Sequence, residues 1–161
     1  GMTPYGLASR LGISRDEAKA IIDRYFSGFP RVKEYIEKSY EEAKNRGYSL
    51  SIFGRRRPLN EVTTVEGNST AALKRVAINT PIQSSAADIA KMAMIRFDEA
   101  LQKEHIDAAL VLQIHDSLIC ECHEKDEGAV SDLLKRSMEH VIRLSVPLEV
   151  NLKSGRSLAE V

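Results

Sequence analysis

From Thr70 to Lys103, the apolar residues Leu73, Val76, Ala77, Ala86, Ile89, Ala90, Ala93, Met94, Phe97 and Leu101 keep helical spacing over many turns. This predicts one long helix, with Pro81 expected to kink its middle because proline lacks the N–H that an interior turn needs. The flanking segments read as shorter elements around it. Ser14 and Glu17 form a capping box, and Ala18, Ile21, Ile22, Tyr25 and Phe26 follow as an amphipathic stripe that Phe29-Pro30 ends. A second helix has Val32, Ile36, Tyr40 and Ala43 facing inward and stops at Asn45-Arg46-Gly47. YSLSIF, residues 48–53, alternates like a strand, and EVTTVEGNST, residues 61–70, reads as an exposed polar loop.

After the long helix, AALVLQI and SLICEC form two β-rich runs on either side of His115-Asp116, which predicts a hairpin with that pair at its turn. Lys125 to Ile142 reads as a last amphipathic helix and VPLEVNL as a last strand. There is no internal repeat or low-complexity tract. Helices first, then a hairpin packed among helices, give an α+β fold class: a helical subdomain followed by an antiparallel hairpin packed on long helices.

With 161 residues and 43% hydrophobic content, the chain can bury one ordinary core or two small lobes. Lys plus Arg and Asp plus Glu balance at 23 each, so any case for a nucleic-acid partner must rest on local clusters. No apolar stretch approaches the roughly 20 residues that span a bilayer, and the N-terminus lacks a signal-peptide pattern. A cytoplasmic protein without membrane partners is therefore expected. Cys120 and Cys122 suit reduced thiols better than a disulfide framework.

A carboxylate at a tight hairpin tip, held by a sheet yet open to solvent, can coordinate a hard cation such as Mg²⁺, and Asp116 is the candidate ligand. Asp is also a common turn residue with no further duty. His115 has no evident Ser or Cys nucleophile paired with it, which argues against a hydrolase triad. Cys120, Cys122 and His123 lack the C-x2-C spacing of structural zinc sites. Arg55, Arg56 and Arg57 follow a strand as three consecutive guanidinium groups that can pair with phosphates, or can simply be a solvated face. Arg75, Asn79 and Gln83, with Ser84 beside them, recur at steps of about four along the long helix. Amides both donate and accept, which suits base edges and sugars, whereas a merely solvated stripe favours Lys and Glu.

In order and spacing, "GLASRLGI", "YFSGFPRVKEYIE", "IFGRRRPL", "KRVAINTPIQSSAADIAKMAM", "LVLQIHDSLICE" and "VPLEV" resemble the C-terminal part of family A DNA polymerases, the DNA polymerase I type. The resemblance implies that residues 1–46 are the helical part of the fingers and 47–161 the C-terminal part of the palm. It implies that QIHDS is similar to the family's motif C, making Asp116 the catalytic carboxylate and the ligand of Mg²⁺. By the same resemblance Gln113 and His115 touch the primer end. Arg75, Asn79 and Gln83 contact primer-template, and Arg55 to Arg57 contact the DNA backbone. Ser117 stands where the family usually has an acidic residue, Ser84 where it usually has Gly, and the tail from Asn151 departs from the family's ending.

The activity so implied is two-metal nucleotidyl transfer, with primer-template DNA and deoxynucleoside triphosphates as partners. The family's other essential Asp, in motif A, and the nucleotide-binding helix would precede Gly1. The expectation is therefore a polymerase portion incomplete on its own that works with a second chain bringing those parts. The alternative is a non-catalytic DNA-binding module or polymerase remnant, in which Asp116 is dispensable. A third reading has the chain self-associating through apolar surface.

Overall fold

The computed structural model describes residues 2–59 and 70–160. The anticipated polar loop, except for Thr70, lies outside the described residues. The fold is α+β, helices with two small antiparallel sheets, and it divides after Ser85 into two compact units.

The first unit opens with α1 (Pro4–Leu11), a helix absent from the sequence reading. Its signals are local: Thr3 Oγ1 accepts from the Gly6 N–H at 3.2 Å, Pro4 occupies the first turn, and Gly12 ends the helix at φ 65°. In α2 (Arg15–Gly28) the capping box closes in both directions, the Ser14 N–H donating to Glu17 Oε2 at 2.9 Å and the Glu17 N–H donating to Ser14 Oγ at 3.2 Å. Of the expected apolar stripe only Ala18 is buried, while Ile21 and Tyr25 remain 46% and 49% exposed. Pro30 begins α3 (Pro30–Arg46), and Gly47 closes it at φ 75° with its N–H on the Ala43 carbonyl at 2.9 Å.

The strand expected over 48–53 is shorter. β1 (Tyr48–Leu50) pairs antiparallel with β2 (Arg56–Pro58), Tyr48 opposite Pro58 and Leu50 opposite Arg56. The chain leaves the strand at Ser51, whose hydroxyl accepts the N–H groups of Phe53 and Arg55 at 3.2 and 3.1 Å. Gly54, at φ 81°, completes the reversal. Ser49 and Ser51 are buried, whereas Ile52 and Phe53 face outward. Ala43, Leu59 and Ala77 form a small core with Tyr40, Leu73 and Val76 packed against it.

The long helix, α4 (Thr70–Glu104), is observed over 35 residues with Pro81 inside it. Proline cannot donate to the Ala77 carbonyl four residues back. Ser49 Oγ donates to that carbonyl at 3.3 Å instead, and the Tyr35 hydroxyl donates to the neighbouring Ile78 carbonyl at 3.1 Å. The Ser85 hydroxyl donates to the Pro81 carbonyl and accepts the Ile52 N–H.

In the second unit Phe97 and Leu101 of α4 meet Val130, Leu133 and Leu134 of α5 (Glu127–Glu139), which a short 3₁₀ turn at Glu124–Asp126 precedes. The hairpin is as expected: β3 (Ala108–Ile114) and β4 (Ser117–Cys122), with Ala108 opposite Cys122 and Ile114 opposite Ser117. Ala108, Leu110, Leu118, Cys120 and Cys122 turn toward the core, and a register shift between Leu110 and Leu112 bulges β3. VPLEVNL is not a strand. No neighbouring strand among the described residues pairs with it, and the Val150 N–H donates to the Glu139 carboxylate at 2.9 Å.

Candidate nucleic-acid interface and hairpin tip

The tip of the second unit is built by two strands that converge on two residues. His115 takes the left-handed conformation at φ 54°, unusual for a residue with a Cβ and suited to a tight reversal. Gln113 Nε2 donates to the His115 carbonyl at 3.0 Å, so a side chain of β3 ties down the turn. Gln113, His115, Asp116 and Ser117 are all exposed. The carboxylate of Asp116 thus stands on a pinned turn and faces solvent.

Among the described residues no group of three or more His, Cys, Asp or Glu side chains gathers as a metal cage. Asp116 offers hard oxygen donors from a single side chain, which fits one ligand position of Mg²⁺, an ion that takes one or two carboxylates with water and substrate phosphates. Cys120 and Cys122 play a different part. Burial first, then the neighbouring Cys122, raises the Cys120 thiol, while burial followed by Asp126 and Glu127 raises Cys122. Both stay protonated and pack as small apolar side chains against the core.

In the first unit the arginine triplet does not simply follow a strand: Arg55 lies in the turn, and Arg56 and Arg57 form part of β2. Arg56 lies 5.0 Å over the Tyr48 ring, and Arg57 Nη1 donates to the buried Thr80 hydroxyl at 3.4 Å. All three arginines are exposed. On α4, Arg75, Asn79 and Gln83 occupy one exposed face, while Ala77, Ile78 and Thr80 are buried. Ser84 is half-buried and off that line.

The candidates therefore fall into two groups: Arg55, Arg56, Arg57, Arg75, Asn79 and Gln83 in the first unit, and Gln113, His115 and Asp116 in the second. Sequence reasoning missed Tyr35, Ser49 and Ser85. For Ser49 the signal was Pro81 itself, since a proline inside a helix leaves the carbonyl four residues back for some other donor to meet; Tyr35 and Ser85, on the Ile78 and Pro81 carbonyls, had no such signal.

Residues 1–160 match the family model described as DNA polymerase family A. DNA polymerase I of Bacillus subtilis (strain 168) is 45% identical over 157 residues, covering 98% of this chain and 18% of that protein. DNA polymerase I of Chloroflexus aurantiacus is 42% identical over 162 residues, covering 100% of this chain and 17% of that protein. Among solved structures, the POL domain of Pol1 from M. smegmatis, in a complex with DNA primer-template and dNTP, superposes with a TM-score of 0.88 at 38% identity, covering 98% of this chain and 28% of that one. The chain thus spans less than a fifth of the length of these curated relatives, and it belongs to DNA polymerase family A.

Proposed function

We propose that the chain supplies the C-terminal fingers and palm portion of a DNA-directed DNA polymerase, residues 1–46 serving as the helical part of the fingers and 47–161 as the C-terminal part of the palm. The observation that carries this reading is the hairpin tip, a solvent-facing Asp116 on a turn pinned by Gln113, within a chain matched almost throughout by the family model. Asp116 is the catalytic carboxylate and the ligand for Mg²⁺. When bound, magnesium lowers the pKa of the primer 3′-hydroxyl and stabilises charge on the triphosphate. Gln113 and His115 line the primer end, Arg75, Asn79 and Gln83 meet primer-template through the exposed face of α4, and Arg55, Arg56 and Arg57 bind the backbone phosphates. The complex of the M. smegmatis neighbour with DNA primer-template and dNTP supports these partners.

One carboxylate does not hold two ions about 3.5–4 Å apart. The reading therefore requires a second carboxylate from the rest of the polymerase, on the same polypeptide or on a second chain. Transplanting residues 1–161 into the matching segment of the Bacillus subtilis DNA polymerase I tests this. The folded chimera is expected to extend a labelled primer with Mg²⁺, and Asp116→Ala to reduce extension on the order of 10³-fold, several kcal/mol of lost charge stabilisation. A folded chimera that binds DNA but extends nothing, or one indifferent to Asp116→Ala, would instead favour the non-catalytic DNA-binding module.

A further inference from the structure

We infer that Ser49 and Tyr35 are positioning residues for the α4 face that carries Arg75, Asn79 and Gln83, acting by supplying from outside the helix the hydrogen bonds that Pro81 disturbs within it. Pro81 sits inside a 35-residue helix and has no N–H for the Ala77 carbonyl. That carbonyl belongs to a fully buried residue, where an unmet acceptor is costly. Ser49, itself 3% exposed, meets it at 3.3 Å from β1, and the Tyr35 hydroxyl meets the Ile78 carbonyl at 3.1 Å from α3. A third tie lies one turn further on, where Ser85 accepts the Ile52 N–H at 2.9 Å.

These partners grip one stretch of α4 from α3, from β1 and from the turn that follows β1. Asn79 lies between the two captured carbonyls and Pro81, Arg75 one step before and Gln83 one step after. Without Ser49 the Ala77 carbonyl would have no donor, and without Tyr35 the neighbouring Ile78 carbonyl would lose its tie to α3; the turn around Pro81 would then be freer to bend, and the two ends of that polar face would change their angle. The hydroxyls hold one geometry of this turn, and with it the spacing of three side chains that must meet one ligand together. The inference rests on the proposed DNA reading only for the identity of that ligand.

A double-mutant cycle on the full chain decides it. Pro81→Ala restores the missing N–H, so the effect of Ser49→Ala should depend on which residue stands at 81. With Pro81 present, Ser49→Ala is expected to speed amide exchange of residues 82–86 roughly threefold to tenfold and to weaken binding of a primer-template duplex by a similar factor, the size of one lost hydrogen bond. With Pro81→Ala the same substitution should change neither, Ser49→Thr should restore both, and Tyr35→Phe should act like Ser49→Ala in the proline background. Equal effects of Ser49→Ala in both backgrounds would overturn the inference, as would faster exchange with unchanged DNA affinity. A wild-type chain that binds no duplex would sink the DNA reading, while the exchange cycle still tests whether Ser49 answers Pro81.

Discussion

Glu17 is exposed, yet its carboxylate accepts both the backbone N–H and the hydroxyl of Ser14, and these bonds, the backbone one first, lower its pKa below the ordinary 4.5. Because the folded value is depressed, the contribution is complete above the ordinary value and is lost as pH falls through the lowered one. Acid titration of α2 helicity by circular dichroism should therefore show a loss in this range that Glu17→Gln flattens; identical acid profiles would remove the box from the account. Ser14→Ala should cost about 1 kcal/mol at neutral pH, measured by denaturant unfolding. Cys120 shows the opposite sign. Burial holds its thiol above the usual 9.0, so at neutral pH the folded chain carries little thiolate there. Alkylation followed by mass spectrometry should be slow at Cys120 in the folded protein and fast after unfolding, and rapid alkylation of the folded chain at neutral pH would contradict the packing.

At the scale of elements, the β1–β2 turn isolates a pure backbone effect. A Cβ at Gly54 would meet nothing within 4 Å, so the penalty of Gly54→Ala comes from φ +81° alone. A loss of about 1–2 kcal/mol is expected in denaturant unfolding, against no measurable loss if the turn could relax. The same hairpin explains what could be read in advance. Ser14 with Glu17, Pro30 and Gly47 act through neighbours a few residues away, so the start of α2 and the stops of α2 and α3 were legible, whereas the inward faces were not: of Val32, Ile36, Tyr40 and Ala43 only Ala43 is buried, and Val32 is exposed. The His115-Asp116 turn was legible because two alternating runs bracket it. YSLSIF was legible only as far as Leu50, since the rest depends on Ser51 taking local N–H groups and on Ser49 reaching Ala77, 28 residues away. VPLEVNL has strand-like composition, but a strand exists only where another pairs with it, and composition carries no information about that partner. For the candidate site, residue types and spacing were readable; the bonds that hold α4 at Pro81 span 28 and 43 residues and were not.

The whole molecule carries no net charge, 23 basic against 23 acidic side chains, so its overall field neither draws in nor repels a polyanion. Any electrostatic attraction to DNA must come from local groups. The contacts proposed in the first unit are Arg55, Arg56 and Arg57 at β2 and Arg75 on α4, all exposed. The cation–π contact of Arg56 and the hydrogen bond of Arg57 leave both guanidinium charges intact while restricting where they point. If each of the four neutralises one phosphate, log affinity for duplex DNA should fall with log salt at a slope of about −3 to −4, close to −0.9 per contact. Fluorescence anisotropy between about 50 and 200 mM salt measures this slope. Arg55→Gln should make it shallower by about 0.9 and weaken binding across unrelated sequences alike, because a phosphate contact carries no base information. Asn79→Ala should leave the slope unchanged while lowering affinity, since an amide releases no counterion. A slope near zero in the wild-type chain would mean that the arginines are only a solvated face, and the proposed interface would have to be abandoned however well the hairpin tip performs.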